Sequence, residues 1–243
     1  MLLNTRGIVL HAIKYGETSI ICKMLTEDLG MQSFIVNGVR TSKSKWKTNL
    51  FQHLQPLEMV IYYKEGRNIH RISEASPMII FTEIPFSIRK STYVMFIAEV
   101  LYRSIPAEIH AENLFELVLK TVNELESKDE RQHILFRFLI ELSACLGFNP
   151  QIRDHKAYAY FDLREGCFMS HEPKHPDYLN QIQSRFLAHF MLPEISAGEI
   201  NSELKHEVLL KLLTYYRIHL KDFSTIRSSR LISPEFFVKN VVS

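Results

Sequence analysis

The hydrophobic residues in the first third of the chain occur in short runs that are separated by turn residues. Ile, Val, Thr and Tyr are frequent in these runs, which is typical of β-strands. The fourth run shows the two-residue period of a strand best, because Leu57, Met59, Ile61 and Tyr63 fall on one face. The pattern predicts five strands, at residues 5–14, 18–26, 31–36, 57–63 and 69–74.

Five antiparallel strands in so short a segment leave two exposed sheet edges, which a small protein hides best by closing the sheet into a barrel. One partly open, five-stranded barrel of this kind is the OB-fold. That fold often binds nucleic acids or oligosaccharides, so a binding function is expected here by fold analogy.

After Pro85 the hydrophobic period becomes helical. Apolar stripes at residues 93–101, 114–125, 135–146 and 208–216 each predict a helix with one buried face. Residues 157–170 hold several aromatic residues and a turn at Arg164-Glu165-Gly166, which predicts a small β-hairpin, and a further helix is expected within residues 176–190. We therefore expect an α+β chain in two parts: an OB-fold domain at 1–80, and a mainly helical domain at 81–243 with a small inserted β-hairpin near 155–172.

Bulk properties narrow the function. The formal net charge of +2 is small, so contact with nucleic acid requires a local basic patch rather than the overall field. Three cysteines, at 22, 145 and 167, are too few for a disulfide framework and fit reduced thiols inside a cell. We find no secretory signal and no apolar run long enough to span a membrane, and we expect a cytoplasmic protein without a membrane anchor.

The loop between the third and fourth strands, residues 37–47, is the strongest candidate for a nucleic-acid contact. It holds four cations and no anion, small hydroxyl residues and the single tryptophan of the chain. This composition suits phosphate contacts beside one ring on which a base could stack. The alternative is a solvated loop in which the tryptophan covers the mouth of the barrel. The candidate DNA-binding residues are Arg40, Lys43, Lys45, Trp46 and Lys47.

No pattern typical of catalysis occurs in the chain. Nucleophile-elbow, phosphate-loop, dinucleotide-binding and zinc-protease motifs are all missing. Cys22 lies in the middle of a strand, where a small hydrophobic residue is needed more often than a nucleophile. Cys167, His171 and His175 are spaced by four, with His155 upstream, but prolines interrupt any helix there and no Cys-x-x-Cys pair is found. We expect no enzyme, no cofactor and no metal.

Several segments together resemble the RecO family of bacterial recombination mediators. They are Gly7-Ile8-Val9-Leu10, Tyr15-Gly16-Glu17, Leu25-Thr26-Glu27-Asp28-Leu29-Gly30, Gly38-Val39-Arg40 with Ser42-Lys43-Ser44, Leu54-Gln55-Pro56-Leu57, Phe136-Arg137-Phe138, Leu146-Gly147-Phe148 and Ile226-Arg227-Ser228-Ser229-Arg230. The resemblance spans the whole chain and is densest before residue 80.

The resemblance implies a DNA repair and recombination protein that binds single- and double-stranded DNA and anneals complementary strands. It implies a partnership with RecR, contact with the acidic C-terminal tail of single-strand-binding protein, and help in loading RecA on coated strands. RecF is a further candidate partner, and the expected location is the nucleoid in the cytoplasm. As the residues that bind the tail of single-strand-binding protein, the resemblance points to Arg131, Phe136 and Arg137.

Many members of the family carry a four-cysteine zinc knuckle in the inserted hairpin. Here Ser170 and Pro173 stand where the second cysteine pair is expected, and the first pair is missing near His155. We therefore expect a degenerate, metal-free hairpin. Two alternatives remain: an RNA-binding or translation-associated OB-fold module, and a metal-dependent hydrolase that uses His171 and His175.

Overall fold

The structure is a computed structural model. It describes residues 1–41, 44, 46, 48–106, 112–127, 133–153, 159–192, 194–198 and 200–238. The chain divides into two compact units, Met1–Glu130 and Arg131–Ser243. The first unit thus extends past residue 80, the domain boundary expected from the sequence, to Glu130.

The first unit contains a closed five-stranded barrel with the strand order β1-β2-β3-β5-β4. Its strands are β1 (Leu2–Tyr15), β2 (Ser19–Thr26), β3 (Gly30–Val36), β4 (Pro56–Tyr62) and β5 (His70–Pro77). All neighbouring strands pair antiparallel except β3 and β5, which pair in parallel. This is the barrel that the alternating pattern predicted, and the expected OB-fold is confirmed.

The barrel core is filled by side chains that alternate along each strand. Leu57, Met59 and Ile61 on β4 are each at most 3% exposed, as the two-residue period predicted. Gly7 on β1 allows a close approach, because a Cβ at this position would lie 2.4 Å from Met59 Cε. A side chain at position 7 would therefore require the flexible end of Met59 to move aside.

Two helices complete the first unit, α1 (Ile88–Ser104) and α2 (Glu112–Glu126). The Ser87 side chain caps α1 by accepting a hydrogen bond from the Lys90 N–H. Arg6 on β1 reaches α2, where its Nη2 lies 3.1 Å from Glu116 Oε1 and its guanidinium stacks over the Phe115 ring at 5.1 Å. The first two apolar stripes of the sequence lie on these helices.

The second unit is mainly helical, with α3 (Ile134–Cys145), α4 (Gln181–His189) and α5 (Ser202–His219). A small sheet joins β6 (Tyr160–Asp162) to β7 (Cys167–Met169) and to β8 (Tyr178–Leu179). The Tyr216 hydroxyl on α5 donates to the Leu139 carbonyl oxygen on α3 at 2.5 Å. The inserted hairpin and the helical body are therefore confirmed, and β8 is an additional strand that the sequence pattern did not predict.

Across the described part of the chain, none of the helices has both the length and the apolar character needed to cross a membrane.

Candidate nucleic-acid interface

The basic loop after β3 is fixed by apolar side chains that enter the barrel core. Val39 is 4% exposed and Trp46 is 8% exposed, and both belong to the hydrophobic cluster inside the barrel. The Trp46 ring meets the Phe51 ring edge-on at 5.8 Å between centroids. Between these anchors, the Ser44 N–H donates to the Thr41 carbonyl oxygen at 3.1 Å and forms a turn. Val39 and Trp46 therefore attach described parts of this loop to the barrel core.

Arg40 directly follows the buried Val39 and is exposed at the protein surface. Its backbone N–H donates to the Thr18 carbonyl oxygen at 3.1 Å, and its Nη1 donates to the Gly16 carbonyl oxygen at 3.3 Å. These bonds hold Arg40 against the β1–β2 turn while the side chain stays exposed. Within the described residues no carboxylate pairs with it, so its charge is available to a phosphate.

The other candidate residues of the loop divide into two groups. Lys43, Lys45 and Lys47 lie outside the described residues. Trp46 is described, and its burial leaves little ring surface on which a base could stack. The observed position matches the alternative in which the indole covers the barrel, because packing on Phe51 removes more apolar surface from water than an exposed platform would.

A second surface of the barrel carries the opposite charge. A cavity of about 520 Å³ there is lined by Asn4, Thr5, Arg6, Glu27, Asp28, Glu58, Met59, Val60, Glu74, Ala75 and Ser76. Hydrogen bonding to the Arg6 guanidinium lowers the pKa of Glu27 and keeps its carboxylate charged. Four carboxylates on this surface repel phosphate, so DNA contact is favoured elsewhere on the barrel.

The candidate partner residues on α3 differ in exposure. Phe136 is 0% exposed, and the rings of Phe186, Phe190 and Phe237 surround it at centroid distances of 5.0, 6.0 and 5.5 Å. Phe136 therefore cannot contact a partner directly while it stays in this cluster. The helical period separates adjacent residues by about 100° around the axis, so Arg137 faces outward when Phe136 faces inward.

Arg137 is the candidate partner residue that the structure leaves accessible. Its side chain is 29% exposed, and its Nε lies 3.9 Å from Glu141 Oε1 one helical turn later. Arg131 lies outside the described residues.

The hairpin of the second unit is organised by a buried carboxylate. Asp162 is 3% exposed, and its Oδ1 accepts the backbone N–H groups of Arg164 at 2.8 Å and Glu165 at 3.1 Å. Its Oδ2 lies 3.1 Å from His175 Nε2. The turn is therefore built by hydrogen bonds to one side chain.

Aromatic packing completes the hairpin. Phe161 lies 4.9 Å from Phe168 and 5.6 Å from Tyr215 between ring centroids, and Tyr160 lies 5.9 Å from Tyr178. Tyr158, which the sequence also suggested, lies outside the described residues.

The donor atoms present do not fit a four-cysteine zinc knuckle. Cys167 is the one cysteine of the hairpin; it is 3% exposed, and burial raises the pKa of its thiol. His171 is exposed, His175 contacts Asp162, and His155 lies outside the described residues. Where residues are described, no three His, Cys, Asp or Glu side chains are grouped to hold a metal ion.

Cys22, the remaining thiol considered for chemistry, lies in the barrel core. It is 0% exposed, and burial raises its pKa to about 12. The thiol is therefore protonated at neutral pH and packs as a small hydrophobic side chain.

Comparison with known proteins covers both units. Residues 1–81 match the family described as recombination protein O N terminal, and residues 85–225 match recombination protein O C terminal. The chain is 32% identical over 242 residues to DNA repair protein RecO of Phocaeicola vulgatus, covering 97% of this chain and 100% of that protein. It is 34% identical over 241 residues to DNA repair protein RecO of Bacteroides fragilis, with the same coverage of 97% and 100%. The protein of that name from Christiangramia forsetii is 29% identical over 241 residues.

Proposed function

We propose, because this chain belongs to the RecO family, that it is a DNA-binding accessory protein of DNA repair rather than an enzyme. The carrying observation is the cation-only loop after β3, which the buried Val39 and Trp46 anchor to an OB-fold barrel. Arg40, Lys43, Lys45 and Lys47 would contact phosphates, while Trp46 supports the loop from within.

The charge distribution of the barrel supports this assignment. Arg40 is exposed beside the β1–β2 turn without a carboxylate partner in the described residues, whereas a separate cavity holds Glu27, Asp28, Glu58 and Glu74. An anionic strand gains favourable contacts at the loop and is repelled at the acidic cavity. Binding by a local patch agrees with the small net charge of +2.

The finer role that the resemblance implies is that of a recombination mediator. In this role the protein anneals complementary strands and, with RecR, helps to load RecA on single-stranded DNA coated by single-strand-binding protein. The accessible guanidinium of Arg137, supported by the buried Phe136 and joined by Arg131, would bind the acidic tail of that coating protein. RecF is a further candidate partner, and the location that suits this role is the nucleoid in the cytoplasm.

An annealing assay tests DNA contact and partner contact together. Complementary strands are coated with the cognate single-strand-binding protein, and the rate of duplex formation is measured with and without this chain. We expect acceleration with the intact coating protein and little acceleration when its acidic tail is removed. If the chain accelerates annealing of neither bare nor coated strands, the mediator role is ruled out.

A further inference from the structure

A row of outward-facing side chains crosses three neighbouring strands of the barrel. The strand register pairs Arg71 on β5 with Tyr62 on β4 and with Ile35 on β3. Their neighbours Ile61 on β4 and Phe34 on β3 are 0% exposed and belong to the barrel core. Because side chains alternate along a strand, Ile35, Arg71 and Tyr62 lie together on the outer surface. Tyr62 is 50% exposed.

A cavity of about 450 Å³ opens at this row. It is lined by Ile35, Tyr62, Arg67, Ile69, His70 and Arg71, and thus holds two arginines and no carboxylate. Arg67 comes from the β4–β5 loop at residues 63–69, where Gly66 adopts a φ of +75° and turns the chain back toward β5. Among the described residues neither guanidinium has an ion-pair partner.

The wall behind the cavity is packed aromatic core. His70 is 3% exposed, and its ring stacks on Tyr63 at 4.9 Å and tilts against Phe34 at 6.1 Å between centroids. Rings packed in this way hold the start of β5 in place, so Arg71 projects from a rigid strand rather than from a mobile loop.

We propose that this cavity binds one segment of single-stranded nucleic acid, with a base stacked on the Tyr62 ring and the flanking phosphates held by Arg67 and Arg71. The inference rests on the proposed DNA-binding function and names the single strand as the form that this surface takes. A half-exposed ring suits any base, because every base has a π face. The planar guanidinium groups suit phosphate oxygens.

The composition of the cavity favours a single strand over the two other ligands that its charge admits. Bases of a duplex are already stacked within the helix and cannot reach the ring without being unstacked. An acidic peptide would use the arginines, but a tail that ends in a single aromatic residue brings one ring to a cavity that presents Tyr62, Ile35 and Ile69. A strand with splayed bases uses Tyr62, Ile35 and Ile69 together with both cations.

The first test is binding of fluorescein-labelled oligo(dT) by the full chain, measured by anisotropy. Tyr62→Ala should weaken binding by about 5- to 150-fold, the usual range for loss of one stacked base, whereas Tyr62→Phe should stay close to wild type. Arg67→Ala with Arg71→Ala should lower the slope of log affinity against log salt by about 1.4, at about 0.7 for each phosphate contact. The matched control is Tyr102→Ala with Arg103→Ala, which removes an exposed tyrosine and the arginine over its ring from α1.

A second readout reports stacking directly. In Tyr62→Trp, the new indole should be quenched by oligo(dT) but not by a poly-glutamate peptide, while the buried Trp46 emission stays unchanged.

The outcomes separate this inference from the broader function. If folded pocket variants bind oligo(dT) like wild type while the wild type binds DNA, the pocket assignment is wrong and the DNA-binding function stands. If the pocket variants lose binding of poly-glutamate but keep binding of oligo(dT), the cavity is a docking site for an acidic protein segment and the proposal is overturned. If the wild-type chain binds no DNA, both conclusions fail.

Discussion

Asp162 Oδ2 lies 3.1 Å from His175 Nε2, and this contact ties the β6–β7 turn to the segment that leads into β8. The other oxygen of the carboxylate accepts two backbone N–H groups of the same turn. Because Asp162 is 3% exposed, these three partners offset the cost of taking its charge out of water. The hairpin is thus held by one carboxylate and by aromatic packing.

Asp162→Ala should therefore destabilise the second unit. Removing the carboxylate leaves two buried N–H donors without their acceptor, and we expect the free energy of unfolding to fall by about 2 to 4 kcal/mol. Urea denaturation followed by circular dichroism measures this change. Asp177→Ala is the matched control, since Asp177 forms a partly exposed ion pair with Arg164 and should cost less than about 1 kcal/mol.

The same hairpin supplies a test with a chelator. We expect the melting temperature to be unchanged by chelation, because one buried thiol and the contacts of His175 do not make a zinc site. Stoichiometric zinc that survives dialysis, or a large loss of thermal stability on chelation, would contradict this expectation.

Replacing Arg40, Lys43, Lys45 and Lys47 together by Ala should sharply weaken DNA binding. With four phosphate contacts to a single strand, a fourfold rise in salt weakens wild-type binding roughly fiftyfold, and the variant should lose most of this dependence. Anisotropy titrations over a range of salt give both quantities. Arg217→Ala with Lys221→Ala removes two exposed cations elsewhere and serves as the control. If the variant with all four substitutions keeps the wild-type DNA affinity and its salt dependence, the loop is only solvated.

Glu126 on α2 gives the first unit an acid-sensitive contact. Its carboxylate accepts the Glu83 N–H at 2.7 Å, the Ile84 N–H at 3.1 Å and the Thr82 hydroxyl at 2.8 Å. Burial alone raises the pKa of Glu126, but these hydrogen bonds outweigh burial, so its pKa is lowered from 4.5. The stabilisation is therefore complete above the unfolded value and is lost as pH falls through the lowered folded pKa.

Glu126→Gln should accordingly reduce the free energy of unfolding by about 1 to 3 kcal/mol at neutral pH. The difference between variant and wild type should be smaller at a pH below the lowered folded pKa than at neutral pH, because the wild-type carboxyl is then neutral as well. Urea denaturation at both pH values measures it, and Glu116→Gln, at an exposed ion pair with Arg6, is the control. A difference that is constant with pH would show that charge at Glu126 contributes nothing.

The fold was largely predictable because its signals are local. The alternation of Leu57, Met59 and Ile61 specifies a half-buried strand without knowledge of any other part of the chain. β8 (Tyr178–Leu179) was missed, since two residues carry no period and pair only because β6 lies beside them.

The candidate binding surfaces were less predictable, because the exposure of a side chain and its neighbours across a sheet are set by the three-dimensional fold. Composition identified the loop containing Arg40, but it could not decide whether Trp46 faces solvent or Phe51. Tyr62 and Arg71 become neighbours only through the register of two strands, so no linear motif marks the cavity beside them. The family resemblance pointed to Phe136 together with Arg137 as partner-binding residues, whereas the helix turns the two side chains to different sides and buries Phe136.

Substitution of Arg137 is the clearest test of whether partner binding and DNA binding use separate surfaces. An acidic tail that ends in an aromatic residue with a free carboxylate needs an accessible fork of donors, and a guanidinium binds a carboxylate through two hydrogen bonds. At 29% exposure, the Arg137 side chain is within reach of a ligand, and its contact with Glu141 is itself partly exposed. Such surface contacts are weak enough for a tail carboxylate to replace them.

Arg137→Glu should abolish most affinity for a synthetic tail peptide of the cognate single-strand-binding protein while leaving bare-DNA binding intact. Arg137→Lys keeps the charge but loses the two-point contact, so it should retain only part of the affinity. Anisotropy with labelled peptide and labelled oligonucleotide measures both activities, and circular dichroism verifies folding, since Phe136 beside it is part of the aromatic core. If peptide binding is unchanged, Arg137 is a core-helix arginine that merely reaches solvent. If both activities fall together in a folded variant, the DNA and partner surfaces are not separate.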